Sequence, residues 1–376
     1  MISELVTAIH GTPQLMVMNF AGAGVQALAW LHSVGGSSRT VLEATDRYTA
    51  PSLIEATGFE PKRFTSLRVA GALAEHAYAR AGMLAEEEKV VFGLGCSATI
   101  ATDRQKRGEH RCVVAVRDGF GVTGYELIMT KGARDRRGEE ELVSLVILKA
   151  IADACGVLDD PDLPLLEREE LIQTLKPLGI VKRFLDGERP WLLVRPDGQC
   201  LNEVVPENVA LFSGAFHPLH QGHRRLAEVA ATRLGREVFF ELPLLNADKT
   251  PIGILEARRR AAQFVGVAPL LFTRSPLFIE KARLFPGCVF VVGADTAARV
   301  VDPRFYGDSR VEMTRALESL RELGVSFLVA GRQQGGRYVS LDDIGVPEAF
   351  KDLFEALSEE DFRLDVSSTE IRRGWV

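Results

Sequence analysis

Two histidines three residues apart, His220 and His223, close the segment Ser213-Gly214-Ala215-Phe216-His217-Pro218-Leu219-His220-Gln221-Gly222-His223. An apolar run at 209–212 precedes it, and Leu226, Val229, Ala230 and Leu234 follow at helical spacing. The order is strand, glycine turn, helix start. Gly214 lets backbone approach a ligand, and a helix N-terminus turns unpaired N–H groups and partial positive charge toward an anion. Two imidazoles beside a phosphorus centre can donate hydrogen bonds to charge that grows in the transition state without becoming nucleophiles. The same spacing also suits a pair of helix-capping or surface histidines. Zinc is a weaker rival, because HxxH with no third nearby ligand is a poor zinc pattern.

A second cluster stands at 365–373, DVSSTEIRR. Ser367 followed three residues later by Glu370 fits a capping box. Three hydroxyls, on Ser367, Ser368 and Thr369, together with Arg372 at a helix start also make a cradle for a triphosphate. By itself the segment decides neither way. Near the other end, Gly22-Ala23-Gly24-Val25-Gln26-Ala27 follows an apolar run and imitates a GxGxxA dinucleotide fingerprint, with Glu43 about twenty residues on. A lone match of this kind is weak. Thr102, Arg104, Lys106, Arg107 and His110 gather cations within nine residues and could bind a phosphate, or form a solvated charged loop.

The elements that must carry these groups divide the chain in two. Up to about residue 158, apolar runs at 15–18 and 89–92 read as buried strands, and 111–117 with 125–129 as paired strands joined through glycines. Leu142, Leu145, Val146, Ala150 and Ile151 predict a helix over 138–155, with Gly156 as its stop. Residues 159–206 are dense in proline, glycine and acid and read as a linker, with a small hairpin starting at 191–194. From 207 to 376, apolar strands at 209–212, 237–242, 270–273, 289–292 and 325–329 alternate with helical patterns. That alternation predicts a doubly wound, parallel Rossmann-like sheet. Ligands of such sheets sit beyond the carboxyl ends of the strands, where the histidine segment falls.

Composition bounds the function classes. The chain has 376 residues, 46% hydrophobic and 26% charged, which suits a folded globular protein of two to three domains or one large one. Lysine and arginine number 45 against 51 acids, a net charge of −6, so no global basic field recruits nucleic acid or an anionic membrane. Five cysteines, Cys96, Cys112, Cys155, Cys200 and Cys288, form no CxxC pair, which disfavours a disulfide framework or a zinc site and suits a reduced cytoplasm. Cys96 alone stands beside a candidate pocket. The start MISELVTAIHGTPQ lacks a basic and then apolar leader, and no stretch approaches 18 apolar residues, so neither secretion nor spanning is expected.

GAFHPLHQGH together with the distal SSTEIR resembles the nucleotidyltransferase superfamily, whose signatures are GxFxPxHxGH and SSTxIR. The resemblance covers about residues 208–376 and is nearest to nicotinamide or nicotinate mononucleotide adenylyltransferases. It implies that His220 and His223 bind the nucleotide α-phosphate and stabilise its transition state, and that Ser367, Ser368, Thr369 and Arg372 hold the triphosphate. Gly214 and Phe216 would line the nucleotide cleft. Lys249 in Asn246-Ala247-Asp248-Lys249 stands where such enzymes place a phosphate-binding cation, with a solvated loop lysine as the alternative. Asp295 in Gly293-Ala294-Asp295 resembles the GxD segment that contacts ribose or base, with a helix cap as the alternative. His217 departs from the aspartate or asparagine these enzymes often carry there, which puts the local hydrogen bonding in question.

In the first half, Ser33-Val34-Gly35-Gly36-Ser37-Ser38, Ala44-Thr45-Asp46-Arg47-Tyr48, Gly93-Leu94-Gly95-Cys96 and TDRQKRGEH at 102–110 resemble the CinA C-terminal family, which includes nicotinamide mononucleotide deamidases. This resemblance covers about residues 5–157 and implies an α/β domain. The family's ESCTGG segment aligns with Phe20-Ala21-Gly22-Ala23-Gly24-Val25, so its catalytic serine falls at Ala21 and its following lysine near Leu53. Alanine supplies no nucleophile and leucine assists none.

The two resemblances together imply an ATP-dependent nucleotidyltransferase that adenylylates a pyridine mononucleotide with Mg²⁺ and releases pyrophosphate. It would be fused to a CinA-like domain without the family's amidase chemistry, left to bind a related nucleotide or to mediate assembly. Partners would be ATP and a phosphorylated small-molecule acceptor, with no nucleic acid or membrane and with self-association. Two other readings stay open, a nucleotide sensor without turnover and a cytidylyltransferase acting on a phosphorylated alcohol.

Overall fold

The computed structural model describes residues 2–86, 89–103, 107–202, 208–245, 250–334 and 337–363. The fold is α/β. Its contacts define two compact units, Met1–Lys182 with Asp197–Cys200 and Ala261–Gly266, and Arg183–Pro196 with Leu201–Arg260 and Val267–Val376. Among the described residues, no helix is long and apolar enough to cross a membrane.

The first unit runs α1 (Ile2–His10), β1 (Leu15–Ala21), α2 (Val25–Ser33), β2 (Val41–Asp46), α3 (Ala50–Thr57), α4 (Leu67–Leu84), β3 (Val91–Thr99), β4 (His110–Asp118), β5 (Gly121–Met129), α5 (Arg136–Cys155), β6 (Ile172–Pro177) and the start of α6 (Gly179–Leu185). The sheet order is β2-β1-β3-β4-β5-β6, parallel from β2 through β3 and antiparallel beyond. Successive side chains of a strand point to opposite faces, and here both faces are covered. Met16, Met18 and Phe20 join Cys112, Val114 and Val116 against α1, α2 and α5, while Val113 and Ala115 meet Ala70 and Ala74 of α4.

The predicted helix over 138–155 starts two residues earlier, because Asp135 caps it by accepting from the Gly138 N–H. It ends on Gly156 at φ 70°. Rather than presenting one apolar face, α5 is enclosed on most sides, with Ser144 and Asp153 buried beside Leu142, Val146 and Ile151.

The second unit continues with β7 (Trp191–Val194), β8 (Cys200–Leu201), β9 (Ala210–Ser213), α7 (Gln221–Leu234), β10 (Val238–Pro243), α8 (Ile254–Ala262), β11 (Leu270–Thr273), α9 (Phe278–Leu284), β12 (Val289–Gly293), α10 (Ala294–Val300), α11 (Arg310–Glu322), β13 (Ser326–Ala330), β14 (Arg332–Gln334), β15 (Arg337–Val339) and β16 (Phe354–Ala356). The main sheet has the order β16-β13-β12-β9-β10-β11-β7-β8. From β16 to β11 every pairing is parallel, and β7 is antiparallel to β11. Counting the parallel strands from β9, this is the 3-2-1-4-5-6 order of doubly wound sheets. The chain reverses its direction of travel between β9 and β12, so the switch-point crevice opens between the loops that follow those two strands. Leu211, Phe290, Val292, Phe327 and Val329 form the core of one face.

The segment at 159–206 is not a free-standing linker. Ile172–Pro177 extends the first sheet and Trp191–Val194 the second. Prolines and glycines end strands as well as linkers, so composition alone does not separate the two.

Candidate functional site

The turn after β9 is built around one close contact. A Cβ on Gly214 would lie 2.7 Å from the ring of Phe216, so only glycine fits beneath it. Phe216 adopts φ 45°, an outlier for a bulky side chain, and its ring is 1% exposed. That ring meets His223 edge-on, with centroids 5.1 Å apart and planes at 83°, and packs likewise on Phe212 and Phe240. The turn is tied to α8 as well: Arg260 donates to the Ala215 carbonyl at 3.0 Å, and the His217 Nδ1 lies 3.3 Å from Glu256. Glu256 also accepts from Arg260 Nε at 2.7 Å. Arg260 and Glu256 of α8 thus face the turn where the departure at His217 put the local hydrogen bonding in question.

His220 is the N-cap of α7 and His223 stands in its first turn. The Gly222 N–H donates to His220 Nδ1 at 3.1 Å, and the His220 N–H donates to His223 Nδ1 at 3.3 Å. This is a capping box in which both capping side chains are imidazoles. The capping and the catalytic reading are therefore compatible. A ring that accepts at Nδ1 carries its proton on Nε2, so each histidine keeps one N–H to donate. The rings stack with centroids 3.7 Å apart and planes at 23°. Burial, with the charge of His220 beside it, pushes His223 down from 6.5 to about 3, and burial lowers His220 too. Both stay neutral donors at neutral pH.

A cavity of about 690 Å³ opens at the same end of the sheet. It shares Ser213, Gly214 and Ala215 with the turn and is walled by Phe278, Phe305 and Tyr306. Burial pushes the Tyr306 phenol up to about 12, and its hydroxyl donates to the Val300 carbonyl at 2.8 Å. Lys281 forms part of the cavity floor, joined to Glu241, and neither residue was singled out from the sequence. One signal was available, since an acid in the apolar strand Phe239-Phe240-Glu241-Leu242 needs a buried partner.

The structure thus brings together Gly214, Phe216, His220 and His223. Asp295 stands apart from that contact set. Gly293, not Asp295, is the N-cap of α10, and the Asp295 carboxylate pairs with Arg332 at 2.7 Å. The helix-cap alternative for Asp295 fails for that reason. Lys249, Ser367, Ser368, Thr369 and Arg372 lie outside the described residues, as do Arg104 and Lys106. Among the described residues no group of three histidine, cysteine or acidic side chains is arranged around a metal position.

In the first unit the glycine-rich start of α2, Glu43 and His110 are taken up by the protein's own groups. At the glycine-rich start of α2, with Gly22 and Gly24 at φ 90° and 110°, the N–H groups of Gly24 and Gln26 donate to the Glu140 carboxylate at 2.9 and 3.2 Å. The fingerprint's anion position is filled by the protein's own acid. Glu43, the would-be ribose ligand, is held by Arg80 at 2.9 Å. His110 does not join a phosphate cluster but pairs with the buried Glu139 at 2.7 Å, while Thr102 and Arg107 are exposed. Cys96 is fully buried, and its hydrogen bond with Cys112 together with burial pushes its thiol well up, which leaves it unreactive. Ala21 and Leu53 share one apolar cluster with Ala56, Val69 and Leu73.

No known family model and no curated protein matches the chain. Among solved structures it is similar to the competence/damage inducible protein CihA from Agrobacterium tumefaciens, at 21% identity over 40% of this chain and 93% of that one, with a TM-score of 0.34. It is similar also to a competence-damaged protein (CinA) superfamily protein from Escherichia coli, at 14% identity over 40% and 87%, TM-score 0.31. A third is the competence or damage-inducible protein from Enterobacter asburiae, at 13% over 40% and 98%, TM-score 0.32.

Proposed function

We propose that the second unit transfers the adenylyl group of ATP to the phosphate of a pyridine mononucleotide and releases pyrophosphate. The observation that carries this reading is the histidine pair, two stacked neutral imidazoles that both accept at Nδ1 and so both hold an Nε2–H for an anion. It stands at a helix start next to the switch point of a 3-2-1-4-5-6 sheet, where nucleotides bind in this architecture. The resemblance of GAFHPLHQGH and SSTEIR to nucleotidyltransferases supports the same reading, as does a cavity with aromatic walls beside the turn.

In this mechanism an acceptor phosphate oxygen attacks the α-phosphorus in line, the new P–O bond forms, and the bond to pyrophosphate breaks. Negative charge that grows on the α-phosphate oxygens takes hydrogen bonds from His220 and His223, which are already oriented and need no reorganisation. No proton moves to either ring and no covalent protein intermediate forms. Mg²⁺ would arrive on the triphosphate and offset the charge of the leaving group.

For the first unit we infer that the amidase chemistry of CinA-like deamidases is absent. Apolar packing around Ala21 and Leu53 supports this, because neither position holds a nucleophile or a cation. The test of the transfer reading is pyrophosphate release with ATP or CTP, Mg²⁺ and a panel of phosphorylated acceptors. Release with CTP and a phosphorylated alcohol would replace the adenylyl by a cytidylyl reading, and no release with any pair would leave a sensor.

A further inference from the structure

At the carboxyl ends of β9, β10 and β11 a line of polar groups runs under the cavity. Thr273 Oγ1 donates to Glu241 Oε1 at 2.5 Å, and Lys281 Nζ donates to Glu241 Oε2 at 2.7 Å. The lysine and glutamate side chains are 4% and 0% exposed. Lys281 Nζ also donates to Ser213 Oγ at 3.4 Å, and Ser213 is the register partner of Glu241 across the two strands. Stripping an ion pair of water is expensive, and an apolar pair of similar volume often packs as stably. Packing alone therefore does not call for this pair, whereas its position does: Ser213 and Lys281 both line the cavity.

The direction of these bonds fixes what the serine can do. Lysine has donors only, so Ser213 Oγ accepts from it and the hydroxyl proton is left to point elsewhere. Among the described residues nothing accepts that proton. We propose that Ser213 donates it to the phosphate of the acceptor substrate, and that Lys281, held by Glu241, which Thr273 in turn fixes, is the positioning residue that aims it. The acceptor class is a phosphomonoester that carries a flat ring. Its phosphate sits at the Ser213 and Lys281 floor, and its ring lies against Phe278, Phe305 and Tyr306, with Arg283 and Arg299 adding positive field from the rim. The proposal rests on the transfer reading for the acceptor's role as nucleophile, but binding in the cavity can be measured without turnover.

The experiment is a calorimetric titration of the full chain, without ATP, with nicotinamide mononucleotide and with the riboside that lacks its phosphate. Lys281→Met would leave Glu241 buried without its cation and risks unfolding, so the informative variant is Ser213→Ala, which removes one hydroxyl and keeps the ion pair. Expected is a loss of about tenfold or more in affinity for the mononucleotide, the scale of a hydrogen bond to a charged group, with riboside binding unchanged and Ser213→Thr restoring affinity. Equal binding by Ser213→Ala and wild type, or no binding of the mononucleotide by wild type, would overturn it. Pyrophosphate release from the same preparations separates the claims. Release without Ser213 dependence defeats only this proposal, and Ser213-dependent binding without release defeats only the transfer reading.

Discussion

The rings of His220 and His223 lie stacked at 3.7 Å across the first turn of α7, and the backbone N–H of one residue donates to the ring of the other. Each ring therefore caps the helix with Nδ1 and keeps its proton on Nε2 as a donor. Losing either side chain removes a cap and a donor together, so the two effects must be read in separate assays. His223→Ala is expected to lower turnover on the order of 10²–10³-fold, as removal of one preorganised donor does, against a stability loss of about 1 kcal/mol for the cap. Melting and steady-state rates measured on one preparation compare them.

The depressed histidine makes a pH prediction with a definite sign. His223 is held at about 3, below its ordinary 6.5, so the unfolded chain binds the proton first as pH falls. Its contribution to stability is complete above 6.5 and is lost progressively as pH drops toward 3. The melting-temperature gap between wild type and His223→Asn should narrow between about pH 7 and pH 4. In the first unit Glu169 has a lower window. Arg134 holds its carboxylate down at about 2, with the Thr130 and Leu166 N–H groups assisting, so that contribution persists above 4.5 and fades only toward 2. A gap that widened on acidification would contradict the neutral pair.

Gly214→Ala tests the turn without touching a polar atom. Its Cβ would press on the Phe216 ring at 2.7 Å, and that ring leans on His223. Overpacking of this kind costs about 1–3 kcal/mol, and displacement of Phe216 should lower turnover more than it lowers thermal stability at the assay temperature. Wild-type turnover in this variant would show that the ring does not position the histidine.

The pairing of Ala21 with Leu53 in one apolar cluster predicts that the wild-type chain releases no ammonia from nicotinamide mononucleotide. Leu53→Lys, which places a cation there, should destabilise the first unit on the order of 3–5 kcal/mol, the scale of an uncompensated buried charge. Ammonia release that persists after His223→Ala would place an amidase in the first unit after all.

How much of this was legible beforehand depends on how local each signal is. The histidine turn, the strand at 270–273 and the stop at Gly156 are written in neighbouring residues, and they stand where the spacing puts them. Edge strands carry no continuous apolar run: Val41–Asp46 is only half-buried and Phe354–Ala356 has one buried residue in three, so neither was anticipated. Non-local pairs were invisible for a different reason. Glu140 reaches the start of α2 across more than a hundred residues, and Lys281 meets Glu241 across forty. A motif such as Gly22 to Ala27 shows that a glycine turn is present but not that an internal carboxylate has occupied it.

The most direct test of the central claim is pyrophosphate release by the full chain with ATP, Mg²⁺ and nicotinamide mononucleotide, measured for wild type and for His223→Ala. Release by the wild type should depend on both substrates and fall on the order of 10²–10³-fold in the variant. No release with any pairing of nucleoside triphosphate and phosphorylated acceptor, or equal release by the two proteins, would contradict it.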